Sequence, residues 1–203
     1  MAAFKEIHQR FPMVLNSAVG YLVFAGGDMM AQQLEKVDAE TEWDSRRSLS
    51  IGLLGIWQNG VLLHFWYRAL DRFVSPKVDV ASVLKKIACD EAVFAPQLAC
   101  SYLATSAYIS SSTSGNSVED RWRAVRQNVL DKALTTWSND LKLWPAANFI
   151  GFTFIPRNVR PIYASAVQLA WQCYLSKVGF SPPNDLKTDS GGDLGTTGDG
   201  FIT

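Results

Sequence analysis

The 203-residue chain predicts an all-α, multi-span transmembrane bundle of about four spans, with an amphipathic connecting helix and a disordered C-terminal tail. Three observations carry that prediction. Long uncharged apolar runs recur along the chain. Small residues and prolines interrupt those runs. Tryptophan and tyrosine gather at their ends. Hydrophobic residues make up 48% and charged residues 19%. Mean hydropathy is nevertheless only +0.02, because the charges cluster between the runs.

The first run, Phe11–Gly27, extends to Leu34 if Asp28 is tolerated. The second, "SLSIGLLGIWQNGVLLHFWY" (Ser48–Tyr67), has no formal charge apart from a neutral His64. Ala92–Ile109 is the third, the stretch Leu141–Tyr163 supplies the fourth and Pro161–Ser176 a fifth, separated only by "RNVR". Each approaches or falls short of the roughly 17–25 residues a spanning helix needs. The last two read together as one broken span followed by a packed or interfacial helix. Gly20, Gly26, Gly27, Gly52, Gly55, Gly60, Pro96 and Gly151 lie inside these runs. Such residues weaken helices in water, whereas in a bilayer they let backbones approach. Trp43, Trp66, Tyr67, Tyr108, Trp137, Trp144 and Tyr163 mark run ends, as an interfacial aromatic belt would.

Between the third and fourth runs, Ser117 can cap a helix whose first turn holds Glu119 and Asp120. Trp122, Val125, Val129, Ala133 and Trp137 then recur at spacings of three and four. That amphipathic stripe suits lying on a membrane surface or packing on the bundle. Residues 1–180 therefore form one helical domain. From Ser181, apolar content collapses into a Gly/Asp/Thr-rich tail, 181–203, expected to be disordered.

Nineteen basic and nineteen acidic residues cancel, so nothing argues for nucleic acid as a partner. Cys89, Cys100 and Cys173 lie far apart with only two histidines, so no metal site or disulfide framework is predicted. No phosphate-binding loop, dinucleotide fingerprint, zinc-protease pair or nucleophile elbow occurs, so no enzyme and no cofactor are expected. The opening "MAAFKEIHQRF" carries no signal-peptide apolar region and the ending "FIT" is no peroxisomal address. The distribution of Lys and Arg favours neither orientation.

Ionisable and amide groups within apolar runs are the functional candidates, being costly there. Asp28, with Gln32 one turn later, either lines an aqueous path, marks the membrane edge, or pairs with an arginine such as Arg160. Asp90 and Glu91 either cap the third span or form a carboxylate mouth selecting cations. Pro96 frees a carbonyl of the preceding turn beside Gln97, a place for backbone to face water. Gln58, Asn59 and His64 are explained by interhelical hydrogen bonds of about 0.6 kcal/mol each. In "LKLWPAANFIGFTFIPRNVRPIY", Pro145 suits a first helical turn, and Trp144, Asn148 and Phe152 share a face. Pro156 and Pro161 bracket "RNVR" as a surface-level turn.

Several elements together resemble one family. They are "GGDMMAQQ", "WDSRRSLSIG", "NGVLLHFWYRALD", "LKLWPAANFIGFTFIPRNVR" and "AWQCYLS". Their order and spacing are similar to the Mpv-seventeen/peroxisomal-membrane-protein family (the twenty-two-kilodalton class), over roughly Phe11–Val178. The resemblance implies a small integral protein of the mitochondrial inner membrane, favoured here, or of the peroxisomal membrane. It also implies a weakly selective channel for small hydrophilic solutes. The alternative is a non-conducting scaffold supporting organelle homeostasis. The implied partners are the lipid bilayer and small hydrophilic solutes, and a homo-oligomer is compatible. Trp66, Tyr67, Trp144, Pro145, Asn148, Phe152, Pro156, Arg160 and Trp171 fall on structural signature positions, while Asp28, Gln32, Asp90, Glu91 and Gln97 are the pore-lining candidates. Three positions depart from the family pattern. Val61 replaces a frequent proline, Glu91 a common glutamine and Asp140 a frequent asparagine. If the polar positions line a pore, the two acids make it more cation-favouring.

Overall fold

Pro12 opens the first helix, α1 (Pro12–Glu35), where a missing N–H costs nothing because the first turn has no carbonyl to give it to. The computed structural model describes residues 11–36, 42–76, 79–155 and 160–182, all of whose regular structure is helical. The second rod begins as α2 (Ser45–Gly55), with the Asp44 carboxylate accepting from the Arg47 N–H as its cap. It continues through a π-helical stretch, π1 (Ile56–Leu62), into α3 (Leu63–Phe73). The third rod is built the same way, from α4 (Val80–Cys89), π2 (Asp90–Phe94) and α5 (Ala95–Thr113). Asp79 caps it, and the Ser82 N–H holds that carboxyl below its ordinary value. The cap is therefore in place at neutral pH and is lost as pH falls through the lowered value. The fourth rod is α6 (Val118–Thr153), capped by Ser117, and the fifth is α7 (Arg160–Phe180).

Helix α1 lies between α2–π1 on one side and α7 on the other; α5 packs against α6, α7 and α2. The core is Phe24, Ile51, Tyr102, Trp171 and Leu175, drawn from four of the five rods. Close approach at the α1–α2 crossing depends on two glycines. A Cβ on Gly20 would overlap the carbonyl of Gly55, and one on Gly55 the carbonyl of Gly20. Gly27 does the same for α7, where a Cβ would stand 2.5 Å from that of Gln172.

Two expectations about the fourth run are corrected. The amphipathic segment and the Trp-Pro segment are one continuous 36-residue helix, α6, with Pro145 inside it rather than in a first turn. Proline removes one intrahelical bond, and tertiary packing of α6 against α5 and α7 outweighs that loss. The apolar stripe is only partly inward: Val125 is buried and Val129, Ala133 and Trp137 are half-buried, so it borders the buried face rather than forming its centre. Trp122, Leu130 and Leu134 are exposed, whereas Val125, Asn128, Lys132 and Thr136 are buried against the bundle. Of the two placements open to this segment, bundle packing is the one observed. Pro156 and the turn it was expected to start lie outside the described residues, as does the tail beyond Pro182.

The same inversion runs through the whole molecule. Leu22, Leu34, Leu53, Phe65, Phe73 and Phe149 point outward, while Asp28, Gln58, Ser106, Lys132, Gln172 and Ser176 are buried. Water as the only solvent would reverse that assignment. Length and composition together qualify one described helix as a membrane span, Met13–Glu35 at a mean hydropathy of 1.2, where the apolar runs anticipated about four. The other rods carry amides, hydroxyls and charges within their length, which lowers their average, although the second, third and fourth also expose large apolar side chains.

Candidate functional site

Two polar assemblies lie inside the bundle. The first centres on Asp28, fully buried on α1. Its Oδ1 accepts from Arg47 Nε at 2.8 Å and from the Ser176 hydroxyl. Its Oδ2 accepts from Gln32 Nε2 at 2.8 Å and the Ser48 hydroxyl at 2.6 Å. Arg47 also donates to both oxygens of Glu35, at 2.8 and 3.2 Å, and its guanidinium lies 3.8 Å over the Phe180 ring. Gln32 Oε1 accepts the Asp44 N–H at 2.8 Å. Every acceptor of Asp28 is thus used, and the group clasps α1, α2 and α7 together. Asp28 has its arginine, and it is Arg47 rather than Arg160; the Arg160 side chain is outside what is described.

The second assembly surrounds a cavity of about 330 Å³ between π1, π2, α6 and α7. Gln58 and Asn59 reach it from π1, and Asp90 and Glu91 from π2. Asp140, Trp144 and Asn148 come from α6, at spacings of four that put them on one face. Gln168, Trp171 and Gln172 come from α7, and Tyr67 from α3. Among the described residues the wall has three carboxyls and no Lys, Arg or His.

Both π-helical stretches abut this cavity, and π2 has a local cause. In the π register the Ala95 N–H bonds back to the Asp90 carbonyl. The next donor would serve Glu91, but residue 96 is proline and has no N–H. The orphaned Glu91 carbonyl accepts instead from Trp137 Nε1 on α6, at 2.9 Å. The carbonyl that Pro96 frees is therefore claimed by an indole. Trp137→Phe, which keeps most of the ring and removes the donor, is expected to destabilise the fold by about 1–3 kcal/mol. A thermal unfolding midpoint unchanged from wild type would refute that role.

The acids are held by neighbouring rings. Asp90 Oδ1 accepts from Trp66 Nε1 at 2.7 Å, and Trp66 is stacked on Phe94 with ring centres 5.0 Å apart. Asp140 Oδ1 accepts from Trp144 Nε1 at 3.0 Å. Glu91 and Asp140 face each other within hydrogen-bonding reach. Gln58 is occupied with the Leu98 carbonyl and the Ser101 hydroxyl. Glu91 Oε2 and Gln172 Oε1 are buried and accept no hydrogen bond from any described residue.

Of the sequence candidates, Asp90 and Glu91 are on the cavity wall, Asp28 and Gln32 are in the clasp, and Gln97 is exposed away from both. Of the signature positions, Tyr67, Trp144, Asn148 and Trp171 line the cavity and Trp66 anchors Asp90. Pro145 is exposed, and the side chain of Phe152 is outside what is described. Gln168 and Gln172 were missed. Their signal was available as two amides four apart on an otherwise apolar helix.

Residues 115–176 match the model of the Mpv17 / PMP22 family. The Drosophila melanogaster "Mitochondrial inner membrane protein Mpv17" is 32% identical over 75% of this chain and 86% of its own. "Protein SYM1" of Gibberella zeae is 31% identical, over 82% and 90%. The chain belongs to the Mpv17 / PMP22 family. A further relative, "PXMP2/4 family protein 2" of Dictyostelium discoideum, is 27% identical over 88% of this chain and 90% of its own. No solved structure matches significantly. The part of this Mpv17 / PMP22 chain that matches the family model supplies Asp140, Trp144, Asn148 and Gln172 to the cavity. Asp90, Glu91 and Gln58 come from outside it.

Proposed function

We propose that the chain is an integral protein of an organelle membrane that gives small hydrophilic solutes a weakly selective path, spanning the bilayer about four times. The mitochondrial inner membrane is the favoured residence, in keeping with the name of the Drosophila relative, and the peroxisomal membrane is the alternative. One observation carries the reading. A bundle that exposes many large apolar side chains encloses a cavity walled by amides and carboxyls. Polar surface buried in a hydrocarbon environment is costly unless something polar occupies or crosses it. The role is non-enzymatic, since the cavity pairs no nucleophile with a base.

Single-channel recording of the purified protein in planar bilayers tests the proposal. Stepwise conductance with a cation-leaning reversal potential is expected in a tenfold salt gradient, where an ideal cation filter gives about 59 mV. Asp90→Asn with Glu91→Gln should move that potential toward zero by on the order of 10 mV. An unchanged potential would remove the two acids from selectivity. Persistent silence of folded preparations would point to the non-conducting scaffold instead.

A further inference from the structure

We propose that the cavity is a binding site for small protonated amines. This names a solute class for the path proposed above and rests on that reading for its use in transport, although binding itself stands without it. Four features of the wall converge on such a ligand. Its ionisable groups are Asp90, Glu91 and Asp140, with no basic side chain opposite them among the described residues. Two carboxyls that face each other, as Glu91 and Asp140 do, are relieved by a donor placed between them. An ammonium group brings three such donors and no acceptor.

The second feature is independent of the acids. Gln172 is only 2% exposed, lies on the cavity wall, and has an Oε1 with no donor among the described residues. A buried amide oxygen left without a donor costs free energy, so the site favours a ligand that supplies an N–H or O–H. Third, Trp144, Trp171 and Tyr67 border the same space, and aromatic rings attract organic cations. Fourth, the volume of about 330 Å³ is that of a small-molecule pocket. A bare metal ion would need several ligands converging on one point, and no group of three His, Cys, Asp or Glu among the described residues does so. Acids spread along a wall suit a charge carried on an extended molecule.

The test uses the full chain in lipid nanodiscs, with 1,4-diaminobutane as probe and 1,4-butanediol as its uncharged counterpart. Binding is read by calorimetry and by the fluorescence of the lining tryptophans. Saturable diamine binding is expected, with little or none for the diol. Glu91→Gln and Asp140→Asn should each weaken it about tenfold, the loss of one charge-assisted hydrogen bond. Gln172→Leu, which leaves all three acids in place, should weaken it severalfold. Asp71→Asn, at an ion pair with Lys86 that does not line the cavity, should leave it unchanged. Diol binding as tight as the diamine, or wild-type affinity in the Glu91→Gln/Asp140→Asn double variant, would overturn the assignment. Conductance without diamine binding would sink this assignment alone. Diamine binding in a protein silent in bilayers would sink the passage reading and leave the site standing.

Discussion

Asp28→Ala is expected to cost about 3–5 kcal/mol, because it removes the shared acceptor of Arg47, Gln32, Ser48 and Ser176 inside the bundle and leaves Arg47 with Glu35 as its remaining carboxylate. For a chain of this length that corresponds to a fall of roughly 6–20 °C in the unfolding midpoint in mild detergent. Four hydrogen bonds end on the Asp28 carboxylate, and they arrive from three separate rods. The same change therefore loosens α1 from both α2 and α7. Paired replacement by apolar residues, Asp28→Leu with Arg47→Met, should cost less than Asp28→Leu alone, since the buried Arg47 Nε is no longer left without its acceptor and Glu35, which loses its cation, is part-exposed to solvent. A double variant less stable than the single by the full Arg47 contribution would show that the clasp is not a coupled unit.

Lys132→Met should be the second most damaging change, at about 2–4 kcal/mol. The Lys132 ammonium is wholly buried and donates to the carbonyls of Val178, at 2.8 Å, and Ser181, at 2.6 Å. Those carbonyls close the C-terminus of α7, where a helix has no N–H of its own to offer and where its dipole favours a cation. Asn128, one turn earlier on α6, adds bonds to the carbonyls of Gly179 and Leu103. Methionine preserves the length of the stem but supplies no donor. Faster hydrogen exchange confined to residues 176–182, together with the lower unfolding midpoint, is the expected signature. Wild-type exchange there would mean that the α7 terminus is held by other contacts.

The two sites differ in how far local sequence anticipated them. Asp28 was conspicuous as a charge inside an apolar run, and its need for a partner followed from the cost of burying it. Which arginine met that need did not follow, because Arg47 lies on another helix beyond a turn whose path no local rule sets. Lys132 gave no warning. It stands in a segment rich in charge, where a lysine ordinarily faces water, and the apolar stripe beside it looked like the face to bury. The bundle centres its buried face on the adjoining polar positions Asn128, Lys132 and Thr136, leaving most of the stripe half-buried at the edge. Lipid-facing surfaces favour Leu130 and Leu134 outward, and the helix ends of α7 supply carbonyls for the polar stripe inward.

The cavity shows the same division. Asp90 and Glu91 could be named because they open an apolar run, and Asp140 could be noted as an acid beside a Trp-Pro pair. Their proximity depends on Asp140 belonging to one helix that runs from Val118 through Pro145, where propensity alone placed a helix start at the proline. Gln58 and Gln172 read as ordinary interhelical amides, yet one spends its amide donor on a neighbouring helix and the other keeps an unused acceptor on the cavity wall. The π register of 90–94 was likewise half legible. Pro96 announced a missing donor, while the indole that takes up the freed carbonyl lies 46 positions away.

Composition and periodicity determined by themselves that the chain is helical, that its helices prefer an apolar solvent on their outer faces, and where most of them begin. Hydrogen bonds four residues apart and runs about twenty residues long are local quantities, so a linear string suffices to state them. Tertiary packing alone decided which polar groups are spent on holding rods together and which are left facing a shared cavity. That choice is made between side chains distant along the chain, by the free energy of satisfying each buried donor and acceptor, and it has no expression until the rods meet.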